Sequence, residues 1–326
     1  MRAVVASHPG GPEVLQWREA PDPQPGEGEV LVRLEAAGVN FIDTYHRSGV
    51  YPRDFPLIPG MEGAGRIVAL GEGVEDLAVG GRVAWTSVAE SYAELVAVPA
   101  SSVLRVPDGI DAATAAAIPL QGITAHYLVA STFPVGAEHT ILITAGAGGV
   151  GRLVIQLASA RGARVITTVG TAAKAGVAEA AGGHHVIVME ELADLGTSLA
   201  DAVRSIVPDG VDVAYDGIGK DTFEGSLASI RPRGLLALFG GASGQVPPFD
   251  LQRLNAAGSL YVTRPFIGHY IATPEELAWR AEELFSAVSG GHLDIEVGLS
   301  LPLEQAHEAH RALEGRETTG KVVLTA

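Results

Sequence analysis

The stretch TILITAGAGGVGRLVIQLA, residues 140–158, decides the fold of this chain. Its apolar start predicts a buried strand, and the residues after the glycines predict a helix. Between them, Gly146-Ala147-Gly148-Gly149-Val150-Gly151 has the spacing G-x-G-x-x-G. In a strand–turn–helix context, these glycines permit a tight turn, close approach to a pyrophosphate and helix–strand packing. The stretch therefore predicts a dinucleotide-binding unit with phosphates at the helix N-terminus, the alternative being a purely structural turn.

A strand–helix rhythm continues beyond this unit. ARVITTV, HHVIVM and VDVAYDG each precede a helical segment, and RGLLALFG closes the series. Such repetition predicts an α/β fold with a doubly wound parallel sheet and right-handed crossovers. Residues 1 to about 100 instead hold short Val- and Ala-rich strands between Gly and Pro turns, which predicts a mostly β domain. Two amphipathic helices, within 274–291 and 302–316, and the strand KVVLTA follow.

Length and composition limit the possible classes of protein. A chain of 326 residues with 47% hydrophobic residues suits two domains. The absence of Cys excludes disulfides, thiolate zinc sites and a cysteine nucleophile. A net charge of -16 opposes nucleic-acid binding, so none is expected. With no signal-peptide pattern and no long apolar run, we expect a cytoplasmic protein without a membrane segment.

The segment after the second strand of the α/β series indicates which nucleotide binds. In NAD-type sites an acidic residue about 20 residues after the glycine turn accepts hydrogen bonds from the ribose 2′-OH. No Asp or Glu occurs between Gly151 and Glu179, whereas Lys174 follows the strand. A cation without a nearby carboxylate favours a 2′-phosphate, so NADPH is the predicted cofactor. The alternative leaves Lys174 as an ordinary solvated lysine.

Motifs along essentially the whole chain resemble the quinone oxidoreductases, the zinc-independent branch of the medium-chain dehydrogenase/reductase superfamily that includes the zeta-crystallins. They include NFIDTYHRSG, AGAGGVG, GSLYVTRP and LEGRETTGKVVL. The resemblance implies a GroES-like, mostly β catalytic domain joined to a Rossmann doubly wound parallel-sheet domain. We expect the first to comprise residues 1–120 and 262–326 and the second residues 121–261. The resemblance also implies a homodimer formed through the cofactor domains.

No metal site is expected. Zinc-dependent members of the superfamily have a Cys where this chain has Asn40, and Gly-His-Glu where it has Gly60-Met61-Glu62. Without thiolate and imidazole ligands no Lewis acid is available to bind an alkoxide. His307 and His310 are three residues apart, whereas a zinc helix of the H-E-x-x-H type needs four. Hydride transfer to a conjugated carbonyl acceptor remains as the expected reaction.

The resemblance also implies the residues of the site. Asn40, Tyr45 and Tyr51 are the catalytic candidates, and the resemblance also gives Asn40 and Tyr45 contacts with the cofactor. The phenols of the two tyrosines can donate hydrogen bonds to a quinone oxygen; alternatively, they pack the β domain and line the nicotinamide passively. Arg264 is either a cofactor contact or a structural ion-pair partner, and Met189 replaces a Tyr near the adenosine phosphate, which weakens the expected NADPH preference. The implied cofactor-binding residues are Thr124, Tyr127, Gly148, Gly149, Val150, Gly151, Gly170, Lys174, Ile218, Phe239, Gly240, Arg264 and Arg316.

The sequence therefore predicts an NADPH:quinone oxidoreductase that works without zinc on a small-molecule quinone or enone. Two alternatives remain open. One is NADPH-dependent reduction of α,β-unsaturated aldehydes or ketones, which uses the same fold, cofactor and hydride chemistry. The other is a non-catalytic, crystallin-like protein that binds NADPH or RNA.

Overall fold

The computed structural model describes all residues, 1–326. The chain divides into two compact units, the first formed by Met1–Ile123 with Ile271–Ala326 and the second by Thr124–Tyr270. The strands are β1 (Arg2–Ala6), β2 (Leu15–Glu19), β3 (Glu29–Val39), β4 (Glu62–Leu70), β5 (Arg82–Thr86), β6 (Leu95–Pro99), β7 (Leu104–Arg105), β8 (Thr140–Ile143), β9 (Arg164–Val169), β10 (His185–Val188), β11 (Val211–Asp216), β12 (Ile230–Leu238), β13 (Tyr261–Thr263), β14 (Val297–Pro302) and β15 (Lys321–Thr325). The α-helices are α1 (Phe41–Ser48), α2 (Ala112–Ala117), α3 (Pro119–Tyr127), α4 (Gly149–Ala160), α5 (Ala175–Ala180), α6 (Thr197–Ile206), α7 (Phe223–Ala228), α8 (Gln252–Ala256), α9 (Pro274–Ser289) and α10 (Ala306–Glu314).

The first unit is built on a seven-stranded sheet. Its order is β14-β15-β3-β4-β5-β7, and β6 pairs with β3 outside this path. All pairs are antiparallel except β14 with β15. Strand β3 is central because it pairs with β4, β6 and β15, and its alternate residues Val30, Val32 and Leu34 enter the apolar core. This unit is the predicted mostly β domain, completed by the C-terminal segment of the chain.

Helix α1 is only eight residues long and the side chains it buries are polar, and the sequence analysis did not predict it. Its signal is local. Asn40 precedes the helix in an extended conformation, and its backbone N–H donates to Asp43 Oδ2 at 2.8 Å, in a capping box between the N-cap and the third helical position. Such a box satisfies backbone donors that the first helical turn leaves unpaired. The cap therefore fixes the start of the helix that carries Tyr45.

The second unit contains a six-stranded parallel sheet. The order β10-β9-β8-β11-β12-β13 places β8 in the middle, with β9 and β10 on one side and the later strands on the other. Strands such as β9 are buried along almost their whole length, as expected for a sheet covered on both faces. The predicted α/β fold is confirmed, and the switch in strand order occurs beside the glycine turn.

The second unit extends to Tyr270, nine residues beyond the predicted limit at 261. The reason is strand β13, whose Tyr261, Val262 and Thr263 pair in parallel with β12. Pro119 separates two helices, since α2 ends at Ala117 and α3 begins at Pro119 itself. None of the ten α-helices combines the length and the apolar character that a membrane crossing requires.

Candidate functional site

The glycine turn between β8 and α4 has the geometry that its sequence predicts. A Cβ atom on Gly146 would lie 2.1 Å from Thr167 Oγ1, and a Cβ on Gly151 would lie 2.2 Å from the carbonyl oxygen of Ala145. Both distances are far below van der Waals contact, so no larger residue fits at either position. The two glycines thus let α4 begin directly at the end of the strand.

The N-terminus of α4 is free of side-chain caps. Gly148 is the N-cap residue, with φ −82° and ψ 168°, and has no side chain to accept from the first N–H groups of the helix. The helix is 12 residues long, so these donors also carry the positive end of a helix dipole. The donors of this turn therefore fit a pyrophosphate, and Gly148, Gly149, Val150 and Gly151 would hold it.

Most of the other predicted cofactor residues lie at one edge of the parallel sheet. They follow the carboxyl ends of β9, β11, β12 and β13, which belong to the same parallel sheet as β8. In open α/β sheets ligands bind at this edge, near the switch in strand order. The sheet therefore brings together residues that are far apart in the sequence. These residues are Gly170, Lys174, Ile218, Phe239, Gly240 and Arg264.

Asp216 fixes the loop after β11. Its buried carboxylate accepts hydrogen bonds from the backbone N–H groups of Ile218 at 2.9 Å and Gly219 at 3.0 Å. The hydroxyl groups of Thr222 and Ser226 donate to the same carboxylate at 2.7–2.9 Å. Because its oxygens accept these hydrogen bonds, Asp216 acts as a turn acceptor that positions Ile218.

Arg264, together with Thr124 and Tyr127 on helix α3, belongs to the predicted cofactor residues of the second unit. Arg264 is exposed and donates from Nη1 to the carbonyl oxygen of Leu238 at 2.8 Å, without forming an ion pair. If Arg264 has a structural role, that role is therefore a hydrogen bond to the backbone and not an ion pair. On α3, Thr124 and Tyr127 are both buried, and the Tyr127 ring stacks on Tyr270 with centroids 4.2 Å apart and planes at 7°.

An acidic residue contacts the turn that precedes Lys174, although none is near this turn in the sequence. Strands β9 and β10 pair in parallel up to Val169 and Val188, so the segments after them run side by side. Glu190 Oε1 accepts a hydrogen bond from Ala172 N–H at 2.8 Å. Partial burial lowers the pKa of Lys174 from its ordinary value. The predicted adenosine end of the site thus carries both a cation and a carboxylate.

The catalytic candidates lie in the first unit. Tyr45 on α1 and Tyr51 just beyond it meet edge to face, with ring centroids 5.3 Å apart. Tyr51 N–H also donates to the carbonyl oxygen of Tyr45 at 3.1 Å. Both residues are half-buried. The structure thus brings these two tyrosines together. Arg316 is also in the first unit, exposed and just after α10, whereas the other predicted cofactor residues are in the second.

Asn40 is oriented by a buried ion pair. Glu62 and Lys321 form a salt bridge in which both side chains are almost completely buried. Asn40 Nδ2 donates to Glu62 Oε1 at 2.7 Å, and Asn40 Oδ1 accepts from Lys321 Nζ at 2.7 Å and from Gln121 Nε2 at 3.3 Å. These contacts fix the amide group at the position where zinc-dependent members carry a thiolate ligand. The chain contains no group of three His, Cys, Asp or Glu side chains that could hold a metal ion.

A series of hydrogen bonds runs from Arg47 through His310 and Tyr92 to Asp43, each group donating to the next. Arg47 donates to His310 Nδ1 at 3.1 Å, and since a guanidinium only donates, Nδ1 is an acceptor and Nε2 carries the hydrogen of the neutral ring. His310 Nε2 then donates to Tyr92 Oη at 3.3 Å, and Tyr92 donates to Asp43 Oδ2 at 3.0 Å. Glu314 accepts two hydrogen bonds from Arg47 and closes the chain at the surface. His310 is therefore a core residue, not a surface one.

Burial shifts the pKa values of His310 and Asp43, two members of this series of hydrogen bonds. Desolvation lowers the pKa of His310 to about 3, and the nearby Arg47 acts in the same direction. Desolvation raises the pKa of Asp43 to about 7, although hydrogen bonds from Asn40 and Tyr92 oppose the rise. Asp43 Oδ1 is buried and has no hydrogen-bond partner. A proton on Asp43 is therefore retained much closer to neutral pH than on an exposed aspartate.

Two family models match this chain and define its class. Residues 26–108 match the alcohol dehydrogenase GroES-like domain, and residues 149–285 match the zinc-binding dehydrogenase domain. This pair of domains, with the glycine turn and parallel sheet described above, is that of the medium-chain dehydrogenase/reductase superfamily. Within it, the chain belongs to the quinone oxidoreductases, because near-full-length relatives of that name are well over 30% identical to it.

Three relatives illustrate the similarity. The Quinone oxidoreductase of Pseudomonas aeruginosa is 43% identical over 321 residues, covering 97% of this chain and 96% of the relative. A mycobacterial protein solved in complex with NADPH is 47% identical, with a TM-score of 0.97 and coverage of 100% of both chains. The 2-haloacrylate reductase of a Burkholderia species is 39% identical over 331 residues, covering 99% of this chain and 98% of the relative.

Several residues of the site were missed by sequence reasoning. Asp43 could have been found from the spacing Asn40-x-x-Asp43, which is that of a helix cap. Tyr92 and Glu190 gave no local signal, because their partners come from other segments of the chain. Lys321 stands in an ordinary strand sequence, and only its burial against Glu62 reveals its role.

Proposed function

We propose that this chain is an NADPH-dependent quinone oxidoreductase that works without zinc. The observation that carries the proposal is the uncapped N-terminus of α4, at the sheet edge where most predicted cofactor residues converge. Lys174 follows β9 at the same edge and supplies a cation for a 2′-phosphate. The NADPH-bound mycobacterial relative and the relatives called quinone oxidoreductases support the same conclusion.

The residues of the chain bind and orient the reactants. NADPH, when bound, supplies a hydride from C4 of its nicotinamide to the conjugated acceptor, and a proton from solvent completes the reduction. The first N–H groups of α4 and Lys174 would hold the phosphate groups, and Arg316 would add a second cation. The phenols of Tyr45 and Tyr51 would donate hydrogen bonds to an acceptor oxygen, while Asn40 is held in one orientation by Glu62 and Lys321.

The experiment follows NADPH oxidation by absorbance while a benzoquinone is supplied in excess. We expect turnover with NADPH that depends on the quinone, and weaker turnover with NADH at equal concentration. Tyr45→Phe and Tyr51→Phe should each lower kcat/KM for the quinone while leaving the Kd for NADPH unchanged. Binding of NADPH without turnover on any quinone or enone would instead support the non-catalytic alternative.

A second candidate activity is reduction of a carbon–carbon double bond in a conjugated acid, aldehyde or ketone. The similarity to the 2-haloacrylate reductase of Burkholderia favours it, since that relative matches almost the full chain. Quinones and such acceptors all receive hydride at an electrophilic conjugated carbon. Comparing kcat/KM for a benzoquinone and for a small enone at the same NADPH concentration separates the two, and a clear preference for the enone would replace the proposed substrate class.

We propose further that the chain forms a homodimer through the edge of its parallel sheet. Strand β13 pairs only with β12, so its other edge is open, and Tyr261 and Val262 on it are 64% and 39% exposed. Phe266 and Leu251 add exposed apolar surface in the same unit. An open edge with apolar side chains is a ready template for pairing with a second copy. Val262→Asp should convert the dimer to a monomer in sedimentation velocity, whereas Val79→Asp, at an exposed position of the other unit, should not.

The cytoplasmic location and the absence of a nucleic-acid partner stay predictions from the sequence. A filter-binding experiment with single-stranded RNA tests the second of these, and we expect no retention at physiological salt because of the net charge of -16.

A further inference from the structure

The fold places Glu190 against the turn that precedes Lys174, although the two are well separated in the sequence. Glu190 follows β10, whose last residue Val188 is paired with Val169 at the end of β9. Because the two strands are parallel neighbours, the turn after β10 lies against the turn after β9. That second turn, Gly170 to Lys174, is the one that the sequence assigns to the 2′-phosphate of NADPH. Glu190 therefore lies at the end of the site where the 2′-phosphate is predicted to bind, although it belongs to the segment after the neighbouring strand β10.

Two hydrogen bonds tie Glu190 to this turn. Its backbone N–H donates to the carbonyl oxygen of Gly170 at 3.2 Å, and its Oε1 accepts from Ala172 N–H at 2.8 Å. The side chain is nevertheless exposed, so the carboxylate also faces solvent. Its position is therefore fixed relative to the turn that bears Lys174, while remaining open to a ligand that approaches from solution.

We propose that Glu190 is a specificity-determining residue of the nucleotide site: it opposes the 2′-phosphate of NADPH and makes the chain less selective against NADH. This inference rests on the proposed NADPH-dependent function. Lys174 and Glu190 carry opposite charges on two adjoining turns, so the net charge that they offer to a 2′-phosphate is close to zero. The neighbouring Met189 adds no hydrogen-bond donor. A ribose 2′-OH, by contrast, can donate to a carboxylate, which is how acidic residues favour NAD in other sites.

The purely structural alternative is that Glu190 only stabilises the turn through Ala172. The two roles differ in their dependence on charge. Glu190→Gln keeps an oxygen able to accept from Ala172 N–H and removes the negative charge. If the residue is only a turn acceptor, this substitution changes neither nucleotide affinity. If the charge matters, the substitution raises the affinity for NADPH and leaves the affinity for NADH unchanged or lower.

The test is a titration of NADPH and NADH, monitored by nucleotide fluorescence, against wild type, Glu190→Gln and Glu191→Gln. Glu191 is the matched control, since it is the adjacent exposed glutamate and its substitution changes the net charge equally. Removing one repulsion between partly solvated charges should lower the Kd for NADPH about fivefold in Glu190→Gln. We expect the Kd for NADH to stay constant or rise in that variant, and both constants to change less than about twofold in Glu191→Gln.

A second variant and a second condition sharpen the result. Glu190→Gln combined with Lys174→Ala should recover part of the NADPH affinity lost in Lys174→Ala alone. The effect of Glu190→Gln should also shrink as ionic strength rises, because screening weakens interactions between exposed charges. Thermal unfolding of each variant without nucleotide shows whether the turn is still folded, and its midpoint should stay within the wild-type range.

The possible failures are distinguishable. If wild type binds neither nucleotide, the proposed function is wrong and this inference falls with it. If wild type binds NADPH but Glu190→Gln and Glu191→Gln behave alike, or if Glu190→Gln tightens both nucleotides equally, only the role of Glu190 is refuted. Loss of folding in Glu190→Gln would likewise refute it in favour of the structural role.

Discussion

Tyr92 donates its phenolic hydrogen to Asp43 Oδ2 across 3.0 Å, at a place where both side chains are completely buried. The same oxygen accepts the backbone N–H of Asn40 at 2.8 Å, so one atom joins Tyr92 to the first turn of α1. The other oxygen of Asp43 has no partner. The groups that face Asp43 include one ammonium, Lys321, which is already paired with Glu62. The Asp43 carboxylate therefore has a raised affinity for a proton.

Asp43→Asn should remove a pH dependence of stability. The pKa of Asp43 is about 7 in the folded chain against 3.8 for an ordinary aspartate, so the folded state binds the proton more tightly. Its favourable contribution is complete below about pH 4 and is lost as pH rises to about 7. The loss over that window is on the order of 4 kcal/mol, at 1.36 kcal/mol per pH unit. Urea unfolding of wild type and Asp43→Asn at several pH values measures it.

The titration of His310 changes the free energy of unfolding in the opposite direction to that of Asp43. The pH dependence of wild type must therefore be compared with that of Asp43→Asn. The pKa of His310 falls from 6.5 to about 3 on folding, which costs stability as pH falls below 6.5. The two groups therefore offset each other in wild type between about pH 4 and 6.5. Asp111→Asn is the control, since burial of that N-cap carboxylate is slight and its pKa is lowered. Parallel stability curves for wild type and Asp43→Asn would contradict the assignment.

Lys321→Met should destabilise the first unit strongly. The substitution leaves the completely buried Glu62 without its cation, which costs about 3–5 kcal/mol when one partner of a buried pair is removed. The double variant Glu62→Gln with Lys321→Met should recover most of this loss, because no uncompensated charge remains. Urea unfolding gives the free energies for this double-mutant cycle. Additive effects of the two substitutions would show that the pair is not coupled.

Lys174→Ala should weaken NADPH binding and spare NADH. Loss of one charge-assisted contact to a phosphate corresponds to about 1–3 kcal/mol, or roughly a 5- to 150-fold rise in Kd for NADPH. Isothermal titration calorimetry measures both nucleotides. Arg164→Ala is a suitable control, because it removes a cation at the amino end of β9, the opposite edge of the sheet. Equal losses for NADPH and NADH in Lys174→Ala would argue against a phosphate contact.

Gly151→Ala should damage the glycine turn. The new methyl group would meet the carbonyl oxygen of Ala145 at 2.2 Å, and overpacking of this kind costs about 1–3 kcal/mol. The displaced start of α4 should also lower NADPH affinity. Gly176→Ala provides the contrast, since nothing lies within 4 Å of a Cβ there and the residue is inside α5. That substitution should stabilise the chain by about 0.5–1 kcal/mol in thermal or urea unfolding.

The parallel sheet and the nucleotide turn followed from local patterns in the sequence. Strand β8, the glycines and α4 are contiguous, and Gly146 and Gly151 are required by atoms of Thr167 on the adjoining strand and of Ala145 a few residues away. Helix α1 and strand β13 were not predicted. Helix α1 is short and polar and depends on its cap, while β13 has three residues and exists because β12 is available to pair with it.

The sequence by itself determined the two kinds of domain, the glycine turn and the presence of Lys174, because hydrophobic periodicity and turn chemistry act over a few neighbouring residues. Only the tertiary structure decided what surrounds those residues. It placed Glu190 beside the turn of Lys174 and Lys321 against Glu62, and it buried Asp43 away from any free cation. Charge and desolvation depend on distance in space, and segments far apart in the chain set that distance.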